Sequence, residues 1–600
     1  MTIRDRVLLG LVWLFALTSG VPAFAQVDLS GAWSAQYHED REHRIPGPAL
    51  GDYTGIPLND AARLKADSWD ASILTLREHQ AKPHPSTYSL RGPANIRIRA
   101  EVDPATQQLV AYEIFGTFGQ ATRMIWMDGR PHPPAHAAHT WAGFSTGAWD
   151  GPMLTVSTTH LKVGWLQRNG VAHSDRATMV EHFIRHGDRL TVVTIVDDPV
   201  YLEEPFIRTT DLVLNLNQEF RRTPFDVVDE IAGRERGYVP HYLPGSPGAL
   251  LKRSEFSSRY GMAEAGARGG KATTYPEFLS GATAAASAPA PGSGGASAST
   301  DAATDVPTGI QVLHVQGGVH MLVGAGGNIA VQVGEDGVLV VDTGLGRVTD
   351  EVLAAVRGLS SKPIRIVVNT HMHPDHTSGN QAMAEVGEWL GTNAPGNFGI
   401  PGIDLPGPRI IAHEHVLRRM SGSDAVAAGL PTETFFAADK ELFFNEEAVQ
   451  LLHQPGHTDG DLLVFFRRSD VIATGDLFVT TSYPVIDVPN GGSVQGVIDG
   501  LNRILDLAIP KDPAEGGTYV IPGHGRLSDE ADVVEYRDML TIVRDRVREL
   551  VRQGMTLDEV LSARPTMDYD GRYGAESVNW TVEMFIEALF QELRASPLAR

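Results

Sequence analysis

Through the first half of the chain, apolar and polar positions alternate with a period of two. The runs are Ile96–Val102, Leu109–Phe115, Thr122–Met127, Met153–Ser157, Thr178–Ile184, Leu190–Val196 and Thr210–Leu216. Turn signals such as Asp128-Gly129 and Gly187-Asp188 separate them. Such alternation between turns predicts half-buried strands, and so a mostly antiparallel β barrel or sandwich.

The second half mixes two rhythms. Strand-like runs are Ile310–Val315, His320–Val323, Ile329–Val333, Val338–Val341, Ile364–Thr370, Arg409–Ala412, Ala448–Leu452, Leu462–Phe466, Val471–Ala473 and Tyr519–Ile521. Helical spacing intervenes at Val348–Leu359, where Val348, Val352, Ala355, Val356 and Leu359 share one face, at Asn380–Leu390, and near 414–420, 494–507 and 530–552. Strands interleaved with helices predict an α/β domain whose helices cover its sheets. The last of these helices holds Arg537, Arg544, Arg546, Arg548 and Arg552 among Asp and Glu, which reads as a solvated face.

Residues 281–307 are small, rich in Pro, Gly and Ser, and without apolar period, as expected of a flexible linker between residues 26–280 and 308–600. At the N-terminus, Arg4 and Arg6 precede an apolar stretch and then Pro22-Ala23-Phe24-Ala25-Gln26. Residues 1–25 therefore read as a signal peptide cut after Ala25, with a periplasmic or secreted product and no stable membrane insertion after its removal.

A net charge of −23 sets the chain against non-specific nucleic-acid binding, which needs Lys and Arg at the phosphates. The absence of cysteine suits an oxidising compartment and excludes thiolate ligands and nucleophiles. A metal site here must use His, Asp and Glu, which suits zinc, manganese or iron.

The sequence offers such a site. His371-Met372-His373-Pro374-Asp375-His376 follows an apolar run, and Gly456-His457-Thr458, Thr474-Gly475-Asp476 and Pro522-Gly523-His524-Gly525 each follow or lie in a turn after a β-like segment. Ligands collect at such strand ends because loops converge there on a rigid base. His132, His136 and His139 lie in Pro/Ala-rich sequence and read as a surface loop; His413 and His415 read as structural, and His453 as structural or as a support behind the metal ligands.

The four segments resemble the metallo-β-lactamase superfamily, whose H-x-H-x-D-H motif followed by His, Asp and His is matched at every position over about residues 310–530. The resemblance implies an αββα sandwich with two divalent ions, zinc foremost and iron or manganese as alternatives. His371, His373 and His457 would hold the first ion, Asp375, His376 and His524 the second, and Asp476 would bridge them, with Asp342 orienting. Two such ions lower the pKa of a shared water towards 7, giving a hydroxide that attacks a carbonyl-type small-molecule substrate. Asp375 and Asp476 are thus the expected catalytic residues, with Tyr483 a candidate for contacting substrate or protonating the leaving group. The family's zinc β-lactamases generally lack a bridging carboxylate, so Asp476 favours ester, lactone, thioester or amide hydrolysis and leaves β-lactam turnover as the runner-up. An iron-dependent oxidoreductase of the same fold and a ligand-binding protein are the alternatives. Asp28-Leu29-Ser30-Gly31-Ala32-Trp33, with Trp126–Arg130 and Gly143–Trp149, resembles a secreted lipocalin-like β-barrel module, which implies no activity.

Overall fold

The computed structural model describes residues 27–36, 47–90, 95–116, 119, 121–218, 226–231, 233–275, 278, 309–388, 407–422, 427–511, 517–574 and 580–595. The signal peptide and linker expected from sequence lie outside the described residues.

Nine strands of the N-terminal half close into a barrel, from Gly31–Ala35 to Phe206–Leu214. Closure follows from Gly31–Ala35, which pairs with Phe206–Leu214 on one side and Ile96–Val102 on the other. All pairs are antiparallel except Arg123–Trp126 with Phe144–Asp150. The alternating apolar residues point inward, with Trp33, Ile98, Tyr112, Leu154, Phe183, Val192 and Leu212 forming the core.

The C-terminal half is an αββα sandwich. One sheet has seven strands in sequence order, antiparallel as far as Gly337–Val341 and parallel through Ile364–Val368, Arg409–His413 and Glu433–Phe435. The other has six, from Asp439–Phe444 to Ser528–Asp529. Period-two alternation divides the strand residues between two cores. Met321, Leu339, Val341, Ile366 and Val368 meet Val449, Leu451, Leu462 and Val464 between the sheets. Leu322, Val338, Val340 and Val367 face the opposite way, onto Val352 and Val356 of the helix Thr349–Leu359. Helices Val494–Leu507, Glu530–Arg552 and Val582–Ala595 cover the second sheet.

The helix Glu530–Arg552 corrects the solvated reading. Arg537 and Arg546 are 2% and 3% exposed. The barrel half lies against this helix, with Val239 and Ile73 packed into its core and charged side chains pairing across the contact. Arg537 pairs with Glu78, Lys65 with Glu535, and Lys82 with Glu530. Lys162 reaches Asp529 and Asp532, and Asp175 takes both Arg526 and Arg572. Alternating charge on a helix predicted a wet face, but the complementary charges come from residues some hundreds of positions away. Among the described residues no helix is long and apolar enough to cross a membrane.

Candidate metal centre

Each metal-capable group sits just past the carboxyl end of a strand. His371 follows Ile364–Val368, His457 follows Glu447–His453, Asp476 follows Val471–Ala473 and His524 follows Tyr519–Ile521. His373 caps the short helix Pro374–Thr377, with Pro374 at its first position, where a missing N–H costs nothing. That one turn places Asp375 and His376 beside His371 and His373.

The seven residues form two donor sets that share a carboxylate. In the first, His373 Nδ1 is 2.8 Å from His457 Nε2, while Asp476 Oδ2 lies 3.9 Å from His371 Nε2 and 3.7 Å from His457 Nε2. In the second, His376 Nε2 and His524 Nε2 are 3.4 Å apart. Asp476 Oδ1 lies 3.3 and 3.4 Å from them, and Asp375 Oδ2 is 3.2 Å from His524 Nε2. Bonds of about 2.1 Å to a tetrahedral ion put its ligands about 3.4 Å apart, so these separations fit divalent ions. His371 Nε2 and Asp476 Oδ1 are moreover buried without a hydrogen-bond partner, an arrangement that a cation relieves.

The outward faces of the rings are held. Asp342 accepts from His376 Nδ1 at 2.8 Å, and also from the Thr370 N–H at 2.8 Å and its hydroxyl at 2.7 Å. Its backbone is left-handed, with φ of 63°, strain that persists where the surroundings over-determine it. The Val485 carbonyl lies 2.7 Å from His457 Nδ1. Asp487 accepts from His373 Nε2 and, at 2.7 Å, from the Asn490 amide. Asp461 takes the N–H groups of Gly456 and Thr458, bracing the His457 loop, and burial pushes its carboxyl up to about 7. Neither Asp487 nor Asp461 stood out from the sequence, because neither carries a spacing that marks it.

Carboxylates and imidazoles shift one another here. Burial works against ionisation of Asp476, yet His524 and His376 hold its carboxyl well below the usual range. Burial likewise opposes the charged form of His524, but Asp476 and Asp375 push it up to about 9. Burial, reinforced by His376, keeps His371 neutral and able to donate a lone pair.

Other expected positions lie apart. Tyr483 is 2% exposed, its ring stacks on Phe585, and its hydroxyl lies 3.2 Å from the Thr566 carbonyl and 3.0 Å from Asp570. Its contacts are thus with the C-terminal helical segment. The loop of His132, His136 and His139 is not a free surface loop either, since the Leu527 N–H bonds the His136 carbonyl and burial drives the His139 pKa down to about 3. His413 stacks flat on His453 with centroids 3.6 Å apart, and His415 Nδ1 and His453 Nε2 share the Asp459 carbonyl; one nitrogen of each of the three rings also lies within reach of a common cation.

Residues 323–524 match the model of the Metallo-beta-lactamase superfamily. The C-terminal domain is a metallo-β-lactamase-superfamily domain. All seven donors fall inside the matched span. A linear primary-alkylsulfatase of Pseudomonas sp. is 24% identical over 259 residues, 38% of this chain. The chain spans about half of that relative, 47% of its length. A Methanocaldococcus jannaschii protein named "Probable metallo-hydrolase" is 22% identical over 198 residues, 32% of this chain and 84% of the relative. Among solved structures, a stereoselective inverting sec-alkylsulfatase from Pseudomonas sp. is 14% identical with a TM-score of 0.35, covering 47% of this chain and 50% of its own.

Proposed function

We propose that the protein is an exported hydrolase using two divalent ions, zinc foremost, on an ester, lactone, thioester or amide. The observation that carries this reading is Asp476, whose Oδ2 faces His371 and His457 while its Oδ1 faces His376 and His524. One carboxylate between two three-residue sets suits a pair of ions better than one.

When bound, the ions supply Lewis acidity and a water that ionises near neutral pH. The chain supplies the rest. His371, His373 and His457 present nitrogens on one side, and Asp375, His376 and His524 hold the other. Asp375, its side chain 33% exposed, stands at the open edge, where it orients the attacking water and accepts its proton. Asp342 and Asp487 fix the tautomers of His376 and His373 by holding their far nitrogens.

A second reading, hydrolysis of a sulfate ester, is supported by the alkylsulfatase relative. One screen separates the readings: aryl esters, lactones, thioesters, nitrocefin and alkyl and aryl sulfates, offered to metal-loaded and chelated protein. Chelator-sensitive turnover of carbonyl substrates is expected, and Asp476→Ala should lower it by about 10²–10³-fold, the scale of a single well-placed electrostatic group. Stoichiometric iron with oxygen consumption and no hydrolysis would overturn the proposal.

A further inference from the structure

Three histidines form a further metal-capable group, separate from the seven donors. His413 ends the strand Arg409–His413 of the first sheet, His415 stands in the first turn of the helix Glu414–Ser421, and His453 ends the strand Glu447–His453 of the second sheet. One nitrogen of each ring lies within 4.8 Å of a nitrogen of the other two, so a single ion can reach all three. Because the rings come from both sheets, such an ion ties the sheets together.

Two of the rings already face one oxygen. His415 Nδ1 and His453 Nε2 each lie 2.9 Å from the Asp459 carbonyl oxygen. Ligands of one ion at bonds of about 2.1 Å stand about 3.0 Å apart at right angles and about 3.4 Å apart at tetrahedral angles, so these contacts fit ligand separations as well as hydrogen bonds. The third ring decides between the two. His413 is 2% exposed, and its Nε2 is buried with no hydrogen-bond partner. Its Nδ1 faces the His415 N–H at 3.4 Å, beyond the usual range of about 2.7–3.2 Å. A packing held by hydrogen bonds alone leaves the buried nitrogen unmet, and a cation meets it.

The surroundings suit such an ion. Asp459 Oδ2 lies 3.8 Å from His415 Nδ1 and pairs with Arg419, which leaves Oδ1, buried and without a hydrogen-bond partner, as the unmet anionic atom. His415, its side chain 30% exposed, opens the group to solvent and gives the ion a path in. Imidazole donors suit zinc, copper or nickel, whereas magnesium and calcium take oxygen.

We propose that His413, His415 and His453, with the Asp459 carbonyl, bind a further divalent transition-metal ion, zinc foremost. The stacked His413 and His453 rings tilt apart to converge on it. The ion joins the ends of two strands and stabilises the fold, since a ligand held only by the folded chain favours that state by mass action.

The test compares full-length proteins dialysed against the same zinc buffer, with metal content read by inductively coupled plasma mass spectrometry. Wild type should hold one more equivalent than His415→Ala, and Asp476→Ala one more than the variant carrying both substitutions. Each comparison is a difference between proteins with the same seven-donor centre, so it stands whatever number of ions that centre takes. Adding zinc to chelated Asp476→Ala should raise its Tm, and the added His415→Ala should remove most of that rise. Should His415→Ala fail to fold, His453→Gln takes its place in both comparisons. Equal metal content within either pair, or an undiminished rise in Tm after the substitution, overturns the proposal.

Discussion

Asp487 lies 2.8 Å from His373 Nε2, and the opposite nitrogen of that ring, Nδ1, lies 2.8 Å from His457 Nε2. The carboxylate therefore decides which imidazole nitrogen offers a lone pair to the first donor set. Asp487→Asn keeps the size but replaces the anion, and one of its rotamers aims an N–H at the ring. Metal affinity at the first site should fall about 10–100-fold, the usual cost of losing such a partner. Competition titration with a chromophoric chelator checks it; unchanged affinity would mean that the ring is held by packing alone.

Gly523 is required by close approach. A Cβ built there would stand 2.0 Å from Asp476 Oδ1. Gly523→Ala must displace the shared carboxylate, so the purified variant should lose at least one equivalent of metal and most activity, while circular dichroism shows an intact barrel.

Tyr483→Phe separates packing from chemistry. With its hydroxyl near Thr566 and Asp570, the phenol should matter to stability by about 1 kcal/mol and leave kcat within about twofold. A hundredfold loss of kcat with unchanged stability would return Tyr483 to the reaction.

Asp175 links acid stability to the domain contact. Burial opposes its ionisation, but Arg572 and Arg526 hold its carboxyl below the usual carboxylate range. A depressed carboxyl stabilises the folded state in full above the unfolded pKa of about 3.9, and that stabilisation is lost as pH falls towards the folded value. Asp175→Asn should therefore cost about 3–5 kcal/mol near neutrality by leaving two buried guanidinium groups short of a partner. The gap to wild type should narrow below about pH 4, as seen by urea denaturation at both pH values. A gap that widened on acidification would contradict the assignment.

The metal-capable residues were legible because each follows a short apolar run, and strand ends can be read from such runs. Barrel strands such as Ile96–Val102 were legible for the same reason, their alternation being local. Closure of the barrel was not, since it depends on Gly31–Ala35 pairing with Phe206–Leu214 across most of the domain. The strand Asp439–Phe444 was missed because its edge carries charge and an exposed Phe443 in place of clean alternation. Tyr483 was placed by its nearness to Asp476 in sequence, and nothing local announces its contacts with Phe585, Thr566 and Asp570. Arg537 and Arg546 read as wet because their neighbours along the helix are acidic, and nothing local announces Glu78 or the rest of the barrel half.

Asp175 comes from the barrel, and Arg526, which it grips, stands two residues past His524. The barrel thus has a hand on the loop that completes the second donor set. A homologous barrel grafted in its place would have to bring a carboxylate to the same spot, or the graft would reach the metals as a defect in affinity rather than as a defect in folding. Drift in the two halves is accordingly coupled at the contact between Asp175 and Arg526.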